Sequence, residues 1–194
     1  RVSSLTGSPT SFVGVHSYGD LSAAGHLLDI LDAYQGRPGG ILVNVAPRHG
    51  QAKKWQNGTP FCYTHIDQTL IVGTFDGYIF SLLKKLGLLE EVSLMDTKAV
   101  THKLAMDGRI TDAEADRITS SQFRSFDFSP LVFSLLQDGG DVPSTVVKID
   151  DVPTIPQAVW WVDNFGNVKT TMLPDDCGFE AGRRIPFVFG DLFC

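Results

Sequence analysis

"TLIVGTFDGYIFSLLKKLG", Thr69–Gly87, is the stretch whose reading decides the fold. Leu70-Ile71-Val72 is an apolar run of strand length, the pattern of a strand covered on both faces. Asp76-Gly77 is turn chemistry. The Leu-rich run behind it reads as a helix with Asp76 as its N-cap and Gly87 past its end. A buried strand turning into a helix is the unit of a layered α/β fold.

Working towards the N-terminus, "FCYTHI" reads as a second strand, joined to "TLIVGTF" by a short turn at Asp67-Gln68. "ILVNVA" is another buried strand, ending at Pro47, and "PRHGQAKKWQNGTP" is a polar loop. "DLSAAGHLLDILDAY" reads as a helix that Asp20 caps, with Leu21, Ala24, Leu27, Leu28 and Leu31 on one stripe. Working towards the C-terminus, "EEVSLM" is a further strand. Thr111 and Glu114 stand at capping-box spacing before a short helix, and "SPLVFSLLQDGG" is a clear one. From Val142 onward the helical period is lost, and "STVVKI", "QAVWWV", "NVKTTML" and "IPFVF" are short strands. The expected architecture is a three-layer-like α/β domain over residues 1–152. A small all-β, barrel-like domain follows over 153–194, with "DDVPTIP" as a stiff connection.

Composition narrows the function. At 43% hydrophobic and 20% charged residues, the chain of 194 residues has material for a core and does not read as disordered. The net charge is −6, and the densest basic cluster is Arg48, Lys53 and Lys54, which argues against nucleic acid. No apolar run approaches the roughly 20 residues of a membrane span. Cys62, Cys177 and Cys194 lack motif spacing, so reduced thiols, a cytoplasmic setting and no metal centre are expected. "RVSSLTGSPT" has no apolar core of a signal peptide.

Ligands of open α/β sheets gather where parallel strands end. If "ILVNVA" and "TLIVGTF" are parallel neighbours, Arg48 and His49 after the first and Asp76 after the second share one crevice. Each also has a plain reading, as loop residues and a helix cap. In "FRSFDFSP", the rings of Phe123, Phe126 and Phe128 flank Asp127. They either sandwich a purine or sugar beside a carboxylate, or are core with Ser129 as a cap. "VWWVDNFGNVKTT" reads as a hairpin, with Trp160 and Val162 facing opposite to Trp161. Its odd feature is Phe165, an apolar ring at a turn tip.

Taken in order, these pieces resemble the family of S-adenosylmethionine hydroxide adenosyltransferases and fluorinases. "VGVHSYGDLSAAGHLL", "GGILVNVAPRHG", "LIVGTFDGYIFSLLKKLG", "SFDFSPLVFSLL" and "VDNFGNVKTTM" follow that family's sequence of elements from about Phe12 onward. The resemblance implies an α/β domain plus a β-barrel-like domain, assembly as a homotrimer, and a small-molecule nucleoside ligand between subunits. It implies no cofactor beyond S-adenosylmethionine itself. The implied reaction is displacement of methionine at ribose C5′ by water, giving adenosine and L-methionine.

Carried over by position, Asp20, Asp76, Phe126, Phe165 and Asn167 are ligand contacts. The water-using members' Asp, Arg and His fall on Ala46, Lys53 and Asp127, and Ala46 also replaces the halide users' Tyr. The family's ribose-binding Asp would precede Phe12 and its adenine-binding stretch would follow Phe193. The expected catalytic set is therefore His49 as general base, Asp127 as its orienter, and Lys53 or Arg48 fixing the water. The alternative is a non-catalytic homologue that binds an adenosyl ligand as an assembly or regulatory subunit. A third reading keeps the fold and takes another nucleoside or a small anion at the Arg48-His49 loop.

Overall fold

The computed structural model describes residues 1–15, 19–45, 59–121 and 123–184. The chain divides into two compact units, Arg1–Ile155 and Pro156–Cys194. The first is a mixed α/β layer fold around a five-stranded sheet, and the second carries a two-stranded antiparallel sheet.

The sheet of the first unit is built from β1 (Gly39–Leu42), β2 (Phe61–Ile66), β3 (Thr69–Thr74), β4 (Glu91–Met95) and β5 (Ser144–Lys148), in the order β1-β3-β2-β4-β5. β3 is parallel to β1, with Leu42 opposite Val72, and antiparallel to β2, which it meets through the Asp67-Gln68 turn. Asp67 sits there at φ 51, a conformation Asp tolerates better than most residues. All six residues of β3 are buried. Leu70 and Val72 enter one hydrophobic cluster and Ile71 the other, as a period of two residues requires.

Helices cover both faces. On one side lie α2 (Asp20–Tyr34) and α3 (Ser81–Lys85), which contribute Leu27 and Leu83. On the other lie α4 (Thr97–Met106), α5 (Asp112–Ser120) and α7 (Ser129–Gln137), with Val100, Leu104, Ile118, Val132 and Phe133 in the core. Short α1 (Val2–Thr6) packs near α7, and α6 (Arg124–Asp127) leads into it. The close approach of α7 depends on glycine: a Cβ on Gly40 would stand 2.4 Å from the Phe133 ring. Among the described residues no helix is long and apolar enough to cross a membrane.

The strand read in "STVVKI" forms within the first unit, where β5 pairs with β4 from Ser144 to Lys148. Several expectations are corrected. The α4 helix was not anticipated, although Asp96 caps it by accepting from the Lys98 and Ala99 amides. Asp20 is not the cap of α2 but lies in its first turn, after Gly19. Asp76 does not cap α3, which begins only at Ser81 after a series of turns. Ser129 makes no cap bond, because Phe128 holds the cap position of α7. The capping box of α5 forms as read: the Glu114 amide donates to Thr111 Oγ1 (3.2 Å) and the Thr111 amide to Glu114 Oε2 (2.9 Å).

The first unit ends under α3. Lys84 Nζ donates to the carbonyls of Asp150 and Val152, both at 2.8 Å, and Ser81 Oγ to that of Pro153 at 2.6 Å. In the second unit β6 (Val159–Val162) pairs with β7 (Val168–Thr170). A register shift between Val159 and Trp161 breaks strict alternation, so Val162 is exposed like Trp161 while Trp160 is buried. Segment "IPFVF" lies outside the described residues.

Candidate functional site

The parallel pairing of β1 and β3 places the ends of both strands at one sheet edge. The chain beyond β1 stays attached to β3: the Val43 amide donates to the Val72 carbonyl (2.8 Å), and Thr74 Oγ1 to that of Val45 (3.2 Å). From this edge β3 runs into Phe75-Asp76-Gly77-Tyr78. Gly77 sits at φ 75, which a side chain would strain. Asp76 Oδ1 accepts the Gly77 amide at 2.8 Å.

Asp20 is brought to the same turn from α2. Its Oδ2 accepts the Tyr78 amide (3.2 Å) and its Oδ1 the Leu21 amide (3.1 Å). Both carboxylates are buried, Asp20 at 2% exposure and Asp76 at 7%. Asp76 Oδ2 is buried and has no hydrogen-bond donor. A buried acceptor without a donor carries a desolvation penalty and calls for an explanation. Arg48, His49 and Lys53, and also Ala46, lie outside the described residues.

Asp127 flanks the same edge on the opposite face of the sheet. Phe128 packs against Phe61 at the start of β2 (5.3 Å between ring centroids), and Arg124 donates to the Thr59 carbonyl. The Phe75 amide in turn donates to the Pro60 carbonyl, joining the start of β2 to the end of β3. Asp127 Oδ1 is paired with Arg1 (3.2 Å), while Oδ2 takes Arg117 (3.0 Å) and the Ser121 hydroxyl (3.2 Å). Burial pushes its pKa up, but the Arg117 and Ser121 bonds, the Arg117 charge and the Arg1 bond outweigh that and hold it below the ordinary carboxylate value. Asp127 is thus an ionised anchor for α6. Phe128 alone of that aromatic trio is core; Phe123 and Phe126 are exposed, and the Arg1 guanidinium lies 5.5 Å from the Phe126 ring.

In the second unit, Phe165 and Asn167 belong to one tight loop organised by Asp163. Its Oδ1 accepts the Phe165 and Asn167 amides and its Oδ2 accepts Asn167 Nδ2, all at 2.8 Å. Phe165 is 84% exposed in the single chain. Sequence reasoning passed over Asp163; its spacing to Phe165 and Asn167 is the turn signal that marks it.

Of the nominated residues that come from different elements, Asp20 is joined to the Asp76 turn, through the Tyr78 amide. Among the described residues no group of three or more His, Cys, Asp or Glu is placed to hold a metal ion. Cys62 is a free thiol whose pKa burial pushes up, away from nucleophile chemistry.

No protein-family model and no curated protein matches the chain. Its fold is similar to that of an uncharacterized conserved protein from Thermotoga maritima, known from a crystal structure. The TM-score is 0.54 and the identity 14%, over 87% of this chain and 63% of that chain. This chain thus spans less than two thirds of that protein's length. At this identity the similarity shows the fold alone.

Proposed function

We propose that the chain binds an adenosyl ligand at the edge where β1 and β3 both end. There it hydrolyses S-adenosylmethionine to adenosine and L-methionine. The observation that carries this reading is the buried Asp76 turn at the end of the parallel strand pair, held by Asp20 through the Tyr78 amide, with one Asp76 oxygen unmatched. Water attacks the ribose C5′, the carbon–sulfur bond breaks, and its electron pair leaves with neutral methionine. The sulfonium activates the leaving group, so the protein's tasks are to orient the water, exclude bulk solvent and accept one proton. His49 is assigned the proton, and Lys53 or Arg48 the orientation of the water. Asp127 holds α6, and with it Phe126, beside the same edge. Phe165 and Asn167 enter as ligand contacts in a homotrimer, where assembly covers the Phe165 ring.

A second reading, binding without chemistry, is favoured by one observation: both Asp127 oxygens are already engaged by Arg1, Arg117 and Ser121. Incubation with S-adenosylmethionine and assay for adenosine tests both. Adenosine release that falls about tenfold or more in His49→Ala supports hydrolysis. A melting temperature raised by S-adenosylmethionine with no product supports the binding subunit. Neither response sinks both.

A further inference from the structure

We infer that β5 is a pairing edge, through which two copies of the chain join antiparallel, centred on Val146, into one continuous sheet. The inference stands on the first unit alone and goes beyond the adenosyl reading.

β5 is an outer strand of the sheet and pairs on one side, with β4. Its alternate N–H and C=O groups face outward, and among the described residues no backbone group meets them. Ser144, Thr145, Val146 and Lys148 are exposed, Val146 at 60%. The opposite edge is different: at β1 the Tyr34 ring presses on Gly39 and the Phe133 ring on Gly40. An open edge is a template for another strand, and proteins blunt one with a bulge, a proline or a charge along it. The register of β5 with β4 runs unbroken from Ser144 to Lys148. Thr145, Val146 and Val147 are β-branched, no proline interrupts them, and the charge of Lys148 stands at the strand's end.

The strand is also complementary to itself. Ser144, Val146 and Lys148 share one face by strand alternation. In an antiparallel pair centred on Val146, that residue meets its own copy, Thr145 meets Val147, and Lys148 meets Ser144. Val146 then gains an apolar neighbour where it now meets solvent. Ser144 Oγ already stands 3.4 Å from the Tyr63 hydroxyl, so each lysine faces a pair of hydroxyls. The two lysines lie at opposite ends of the pair, and no like charges are opposed. Antiparallel pairing of identical edges is two-fold, so it closes at two copies.

A single strand pair is a small interface of the weak class, so the test is sedimentation velocity of the full chain from about 1 to about 200 µM. The mass is expected to rise with concentration to that of two copies, or to an even number where a trimer also forms. Val146→Lys sets like charges across the axis and should weaken this association about tenfold or more. Phe165→Ser, in the second unit, should leave the two-copy step unchanged. Amide exchange over Ser144–Lys148 should slow as concentration rises. The mass of a single copy or of a trimer throughout overturns the inference, as does an association that Val146→Lys leaves unchanged. Should Val146→Lys fail to fold, exchange at those amides in the wild-type protein decides: slowing with concentration supports the pairing, and independence of concentration overturns it.

Discussion

Asp76 follows β3 and Asp163 follows β6, and each precedes a glycine at positive φ, Gly77 at 75° and Gly166 at 85°. Their surroundings differ sharply. Asp163 is partly exposed, and three donors from its own loop reach its carboxylate. Asp76 is buried, spends one oxygen on its neighbour's amide and leaves the other without a donor. The first carboxylate is consumed in making a turn. The second makes a turn with half of its capacity and holds the rest in reserve. The same residue type, in similar local sequence, thus separates a structural element from a candidate binding element, and the separation rests on burial and donor count.

The sharpest way to break the comparison is to remove the support of the Asp76 turn. Asp20→Ala orphans the Leu21 and Tyr78 amides and should lower unfolding free energy by about 2–3 kcal/mol. Denaturant melts read this directly, and a change within error would mean that the turn stands without Asp20. Next in size is Gly77→Ala, which forces a Cβ into the left-handed region and should cost about 1–2 kcal/mol in the same melts.

Asp76→Asn is expected to have a smaller effect. It keeps the acceptor for the Gly77 amide and replaces the oxygen that has no donor, so the ligand-free protein should change by less than about 1 kcal/mol. Calorimetric melting checks this, and a larger loss of stability would show that Oδ2 itself supports the fold.

The smallest effect belongs to Asp163. The Asn167 side-chain bond, opposed by slight burial and helped by the backbone amides of Asn167, Phe165 and Gly166, lowers its folded pKa. Its contribution is therefore fully present above the unfolded value of about 3.9 and is lost as pH falls through the lowered folded value. Hairpin order, followed by tryptophan fluorescence, should hold at neutral pH and loosen only under acid. In Asp163→Asn that acid transition should disappear.

Much of the first unit was legible in the chain. Ala24 and Leu27 of the predicted α2 stripe are fully buried, and the β2–β3 hairpin turns where Asp67-Gln68 announced it. Helix α4 was legible too, since Asp96 followed by Val100 and Leu104 at helical spacing is a cap and a stripe, yet it went unread among polar residues. The Trp160–Trp161–Val162 alternation failed for a different reason. A bulge shifts the register, and nothing within four residues reveals which strand will carry it. For the site, Asp20 and Asp76 were both nominated, but as separate helix caps. That Asp20 reaches the Tyr78 amide, 58 positions away, has no local signature.

The sequence by itself determined the local events: the capping box at Thr111 and Glu114, the turn at Asp67-Gln68 and the buried apolar run of β3. These depend on propensities and on bonds within a few residues, so the chain states them directly. Only the tertiary structure decided that β1 lies parallel to β3, that "STVVK" joins the main sheet beside β4, and that Phe133 needs a glycine at position 40. It alone made Asp127 an arginine-held anchor and left Asp76 with an unmatched oxygen. Burial and donor count arise when distant segments meet and displace water, and no stretch of sequence read alone contains that meeting.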